Sequence, residues 1–214
     1  MFGRPAAAQR GVKLLMSIES ALQSSKELAL AFDKDVNGLE FPATDRARLA
    51  AALLDQAHEH HKAVGLLISS GFIGSAFSLV RALFETTIRG LWLFRCASDA
   101  EIEHFSTDPG DLRIGPMIES VEALYGSKGG ILTRVKKQYW AGLCSYAHGG
   151  YLQAVRRVTP EHIAPSYGAD EQLEVLSFAD FCFFLAAVEA LNLAGKPDLA
   201  TKWSNMYPFG ASRE

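Results

Sequence analysis

Residues 72–94 read FIGSAFSLVRALFETTIRGLWLF, and their only charges are Arg81, Glu85 and Arg89, each four residues apart. Everything around those three is apolar, aromatic or small, on every side of the helix that the pattern implies. A helix hydrophobic all round belongs in the middle of a fold, and charges upon it need partners. At about 100° per residue the three charges fall within a sector of roughly 80°, a single stripe that also carries Gly74 and Trp92. Spacing of four lets Glu85 pair with either arginine along the helix. Two readings follow. The stripe is either an ion-pair network reaching across to Asp180 or Glu189 on the last long helix, or a polar pocket whose guanidinium groups hold an anion.

Outward from this helix, the chain reads as helix after helix. Apolar positions from Val12 to Leu30 predict a first helix over about 6–34, and Asp33–Pro42, with its Asn-Gly and Pro, reads as a connector. Thr44 is the expected N-cap of a second helix ending near Ser70, where Gly71 turns the chain. A short acidic helix over 100–105 is capped by Ser98 or Asp99. The turn signature Asp108-Pro109-Gly110 precedes a helix over 117–125, closed by Gly126. Ser127 or Gly129-Gly130 precedes a helix over 131–148, stopped by Gly149-Gly150. One or two turns over 151–157, a proline-bearing loop over 159–168, a long apolar helix over 169–194 and a short one over 198–205 complete the pass. No stretch alternates with period two. The expected class is all-α, a single domain of about five long helices with short extras, in which 1–43 form an N-terminal helix and connector and 44–206 the bundle core.

Bulk properties narrow the functional classes. The 214 residues are 49% hydrophobic and 21% charged, with a formal net charge of −3 and a pI near 6.1. That balance is no electrostatic footprint for nucleic acid, although it does not describe how charge is distributed. Cys96, Cys144 and Cys182 are widely spaced and read as small buried thiols of a reducing compartment. The N-terminus lacks the apolar core of a signal peptide, and the Arg81/Glu85/Arg89 triplet would be costly in lipid, so a soluble cytoplasmic protein is expected.

Three further constellations carry chemistry. His148, in Tyr146-Ala147-His148-Gly149-Gly150, sits at a predicted helix end whose carbonyls favour a protonated imidazole, and it is the best single candidate for an acid/base residue or a cap. The run His58-Glu59-His60-His61, with Asp55-x-x-His58 and Glu101-x-x-His104, has carboxylate-histidine spacing used in di-metal bundles, but it also fits a solvated face. No metal and no cofactor is expected. The aromatic group Phe178, Phe181, Phe183 and Phe184 fills a core or offers a dimer face. Gly71-x-x-Gly74 reads as close helix packing.

The segment Ser78–Glu85 (SLVRALFE) with Arg89–Leu93 (RGLWL) resembles the R-x-x-x-E helix of uncharacterised bacterial all-helical families. Tyr146-Ala147-His148-Gly149 resembles their later Y-x-H-G step, and the similar stretches span about 45–155. Such families are distantly similar to the HEPN helical domains, many of them dimeric RNases of toxin–antitoxin and phage-defence systems. The resemblance implies a HEPN-like bundle and a homodimer through aromatic helix faces. The HEPN catalytic signature places an arginine four to six residues before a histidine, whereas the basic residues preceding His148 are Lys137, Lys136 and Arg134. The expected function is a binding module whose pocket of Arg81, Glu85, Arg89, Tyr146 and His148 takes a small anionic ligand or a partner protein. The alternative is a metal-independent RNase, in which His148 is the acid/base and Arg81 or Arg89 stabilises the phosphorane.

Overall fold

The structure is a computed structural model and describes residues 17–107, 113–124, 126 and 129–206. Expectations for Val12 and the start of the first helix, for Asp108-Pro109-Gly110, and for Tyr125 and Ser127 lie outside the described residues. The described residues form nine α-helices and no strand. These are α1 (Ile18–Val36), α2 (Asp45–Ser69), α3 (Ile73–Arg95), α4 (Asp99–Thr107), α5 (Ile114–Leu124), α6 (Ile131–Ala147), α7 (Tyr151–Val155), α8 (Ala169–Leu193) and α9 (Pro197–Met206). An isolated bridge joins Val158 to Ile163 in the loop before α8.

The helix ends follow from local chemistry. Thr44 accepts a hydrogen bond from the Ala47 amide and starts α2. Ser98 and Glu101 exchange hydrogen bonds as a capping box at the start of α4. Gly71, Gly126, Gly149 and Gly195 close α2, α5, α6 and α8 with positive φ. The step at Gly149-Gly150 matters most for the site. Gly149 has φ +65, and a Cβ on Gly150 would lie 2.6 Å from Ser145 Oγ and 3.0 Å from Ser145 Cα. Two glycines are what this turn between α6 and α7 requires.

Helix α3 packs along α2 and also touches α5, α6 and α8. Phe77, Val80, Leu83, Phe84, Ile88 and Leu93 of α3 are at most 1% exposed, which makes it the centre of the larger core cluster. The close helix approach is at Gly90, where a Cβ would sit 2.8 Å from Leu54 Cδ2 of α2. Gly74, expected to serve that purpose, instead faces side-chain tips of the α7–α8 segment. A smaller cluster of Phe32, Phe183, Phe184, Leu191 and Trp203 joins α1, α8 and α9. Phe178, Phe181, Phe183 and Phe184 are all buried. The aromatic face expected to support a homodimer is therefore interior to one chain: its rings fill the space between helices.

Two long-range polar contacts finish helix ends that no neighbour in sequence can satisfy. Arg46 of α2 donates from Nη1 to the carbonyls of Leu93 (3.0 Å) and Ala97 (2.5 Å) at the C-terminus of α3. Buried Glu122 of α5 accepts from the Gly130 amide (2.9 Å), the Thr133 amide (3.0 Å) and the Thr133 hydroxyl (2.6 Å) at the N-terminus of α6. Burial pushes the Glu122 carboxyl up, but these donors outweigh it and hold the group below its ordinary value. No helix among the described residues is long and apolar enough to cross a membrane.

Glu122→Ala strips the α6 amides of a charged acceptor while they remain partly buried, and should destabilise the protein by about 2 kcal/mol. Thermal or urea unfolding measures it, and a midpoint equal to wild type would contradict the capping role. Gly90→Ala should cost about 1–3 kcal/mol through overpacking against Leu54.

Candidate functional site

The charged stripe on α3 neutralises itself. Arg81 Nε donates to Glu85 Oε1 and Arg89 Nη1 donates to Glu85 Oε2, both at 2.7 Å. Each carboxylate oxygen therefore serves one arginine, and no cross-bundle acid is involved. Glu189 of α8 binds Arg95 at 2.6 Å, and Asp180 binds His61 at 2.7 Å. The expected network to Asp180 or Glu189 is thus replaced by i,i+4 pairing, because those two acids meet other partners. The stripe is also less buried than its sequence implies, since the Arg81, Glu85 and Arg89 side chains are 21%, 15% and 27% exposed. Burial raises the Glu85 carboxyl, yet the hydrogen bonds from Arg81 and Arg89 outweigh it and hold it below its ordinary value.

Helix α6 brings the second half of the site. His148 is its exposed C-cap residue, and Arg81 Nη1 is in contact with His148 Nε2. A guanidinium offers only donors, so in this contact His148 Nε2 stands on the acceptor side. Arg81 Cζ lies 4.9 Å from the centre of the Trp140 ring, a cation–π support from below. Arg81 is held on three sides and still reaches solvent. Tyr146 points the other way: it is 1% exposed, packs edge-on against Phe77 at 5.1 Å, and its hydroxyl hydrogen-bonds Arg156. Its backbone carbonyl accepts from Ser78 Oγ at 2.9 Å, which ties α6 to α3. Arg81, Glu85 and His148 thus come together, Arg89 adjoins them through Glu85, and Tyr146 serves as a support beneath.

Sequence reasoning missed a second polar junction, inside the bundle. His61, 1% exposed, shares its Nε2 between Asp180 Oδ1 (2.7 Å) and Ser25 Oγ (3.0 Å), and Ser25 Oγ donates to Asp180 Oδ1 (2.7 Å). His58 Nε2 meets Asp33 Oδ1 at 2.8 Å. The three residue types are those of a hydrolase triad, but the geometry is not. A relay needs the serine on one imidazole nitrogen and the carboxylate on the other; here both sit on Nε2 and the buried Nδ1 has no partner. The junction is a structural dock for α1 on α2 and α8. Burial pushes His58 below its ordinary value, more than the Asp33 carboxylate raises it. The periodicity of α2 places His58 and His61 on one face with Leu54 and Val64, which was the available signal.

No group of three or more metal-ligating side chains converges among the described residues. The two spacings that suggested a di-metal site go elsewhere: Asp55 and His104 are exposed, and Glu101 caps α4. The free thiols Cys96, Cys144 and Cys182 are not paired, and burial raises Cys182 far above the range in which thiolates form. An open groove of about 410 Å³ lies away from the stripe, between Glu27, Leu30, Lys34 and Asp35 of α1 and Lys202 of α9.

Comparison with known proteins adds a family. The chain belongs to a family of unknown function, DUF6988, whose profile matches residues 54–209. No curated protein and no solved structure matches the chain. The match begins within α2, so it includes Arg81, Glu85, Arg89, Tyr146 and His148 and leaves Ser25 and Asp33 of the α1 dock outside.

Glu85 links the site to stability in a pH-dependent way. Its folded value is depressed, so its contribution is complete above the unfolded value near ~4.5 and is lost as pH falls through the folded value. Glu85→Gln should lower stability by about 1 kcal/mol at neutral pH. The gap between the two proteins should close as pH falls below about 4.5. Melting curves across that range decide it, and a constant gap would remove Glu85 as the clamp. His58 adds a second trend: because its folded value is depressed, wild-type stability should decline as pH falls below the ordinary value of 6.5.

Proposed function

We propose, for this member of a family of unknown function, that the protein is a binding module that takes a phosphate-bearing anion at a solvent-facing site made by Arg81, Arg89 and His148. The single observation that carries this reading is Arg81. Its guanidinium is fixed by Glu85 from one side, by Trp140 from below and by His148 from the front, and it remains 21% exposed. Preorganised guanidinium groups suit tetrahedral oxyanions, because their fixed forks match the oxygens and little rotamer freedom is lost on binding. Glu85 neutralises one of the two arginines, so a net positive charge stays on the stripe. Tyr146 and Glu85 act as supports that hold the donors in place. A partner protein would have to present such an anion to use the same chemistry.

A second reading, a HEPN-type RNase working without metal, is favoured by one observation: His148 is exposed and touches an arginine, although the two come from different helices. In that reaction Arg81 turns from His148 to the phosphate, and the freed Nε2 accepts the 2′-hydroxyl proton as the 2′-oxygen attacks phosphorus. Arg81 and Arg89 stabilise the five-coordinate phosphorane. The P–O5′ bond then breaks, and the departing 5′-oxygen takes a proton from solvent. The products are a 2′,3′-cyclic phosphate and a 5′-hydroxyl end.

The deciding experiment incubates purified protein with tRNA and total RNA in chelator, beside His148→Ala and Arg81→Ala. Phosphate binding without cleavage, weakened at least tenfold by Arg81→Ala, is the expected outcome for the binding module. Cleavage abolished by both substitutions, with cyclic phosphate ends, would transfer the conclusion to the RNase. Phosphate affinity unaffected by Arg81→Ala would refute both.

A further inference from the structure

The polar strip does not end at Arg81. One and two turns towards the N-terminus of α3 stand Ser78 and Gly74, and side chains from the segment after α6 converge on them. Gln153 Nε2 donates to the Gly74 carbonyl and to Ser78 Oγ, both at 3.2 Å. The Tyr167 hydroxyl donates to Gln153 Oε1 at 3.2 Å. A Cβ on Gly74 would meet the Tyr167 hydroxyl at 3.0 Å and Arg157 Nη2 at 3.4 Å. Glycine is what lets these tips approach the helix backbone. Beside them, Arg156 is neutralised by Glu171, but exposed Arg157 has no carboxylate within ion-pairing distance among the described residues. The Tyr151 ring, 77% exposed, opens the same short helix α7 that carries Gln153.

On the reading of Arg81 and His148 as a phosphate site, we propose that Arg157, whose guanidinium lies beside Gln153 and Tyr167 over Gly74, is a second anion subsite and that the ligand is a single-stranded polynucleotide. Seven residues of helix separate Gly74 from Arg81, a rise of about 10 Å. One strand advances ~3.4 Å per nucleotide when stacked, so the two cationic points are about three nucleotides apart. Tyr151 follows His148 by three residues and precedes Arg157 by six, at the start of the short helix that carries Gln153. An exposed tyrosine on the segment that carries the cationic residues is a platform on which a base can stack without sequence preference. Among the described residues, the ion pairs along this strip join Arg81 and Arg89 to Glu85 and Arg156 to Glu171. A single phosphate occupies one subsite, whereas a chain occupies both and gains from each.

The test uses the full-length chain and a short fluorescent 2′-O-methyl oligonucleotide, which any RNase activity of the kind described would leave intact. Anisotropy gives its affinity against salt, and calorimetry gives the affinity for inorganic phosphate. Arg157→Ala should weaken the oligonucleotide roughly tenfold and lower the salt slope by about one contact, a larger loss than it causes for inorganic phosphate, which still has the Arg81 site. Tyr151→Ala should weaken it with the slope unchanged, because stacking releases no counterion. Both side chains are exposed, so melting temperatures should match wild type. An oligonucleotide held equally well and with equal slope by Arg157→Ala overturns the second subsite alone. Wild-type protein that holds neither probe, or binding indifferent to Arg81→Ala, overturns this proposal together with the phosphate site beneath it.

Discussion

Glu85 binds two arginines of its own helix, one on each carboxylate oxygen, and this lets α3 occupy the centre of the bundle. Without that clamp, two guanidinium groups would need acids from other helices, and any helix supplying them would have to present charge inside an apolar interface. With it, the charge is settled along one edge of α3 and the other faces are free to bury Phe77, Val80, Leu83, Phe84 and Ile88. The acids of α8 can then do different work. Glu189 secures Arg95 near the end of α3, and Asp180 secures His61. The distribution of charge through the fold follows from α3 being self-sufficient.

The two polar junctions show the same residue types under different constraints. Around His61, three helices close over the imidazole, which is 1% exposed, and its Nε2 partners lie within the protein. Such a site has nothing to offer a ligand and fixes how α1 seats on α2 and α8. Around His148, the two glycines after α6 turn the chain away before another helix can cover the imidazole. The histidine is left at the rim with Arg81 against it. Exposure here is a consequence of backbone geometry at Gly149 and Gly150, not of weak packing, since Tyr146 two residues earlier is fully buried.

Helix boundaries were legible because a cap is a local event. Thr44, Ser98, Gly149 and Gly195 act on amides and carbonyls within four residues, so the string of letters contains both partners. The side-chain stripe of α3 was legible for the same reason, its spacing fixing Arg81, Glu85 and Arg89 on one face. Partners distant in sequence were not. Glu122 reaches across a loop to cap α6, Arg95 finds Glu189 on α8, and Arg81 finds His148 on α6. Each depends on how helices are packed, which periodicity does not specify. The excess of phenylalanine in α8 read either as core filling or as a dimer face, because a helix apolar on most sides can be wrapped by neighbours or left as an interface. The packing of α1, α2, α3 and α9 around it settled the question.

Glu85 also sets the strength of the surface it holds together. By binding both arginines it fixes their direction and cancels half of their charge, so one oxyanion meets a preorganised fork with little net attraction behind it. Tight capture of a small anion would need either an enclosed cavity, in which lower dielectric strengthens each contact, or more cations at the same point. The strip has neither at Arg81, where the side chain is 21% exposed, but it continues past the Arg156–Glu171 pair to exposed Arg157. Contacts that are modest singly and repeated along a line favour a ligand that is itself repeated along a line. The constraint that allows α3 to be buried therefore shapes the surface towards an extended polyanion.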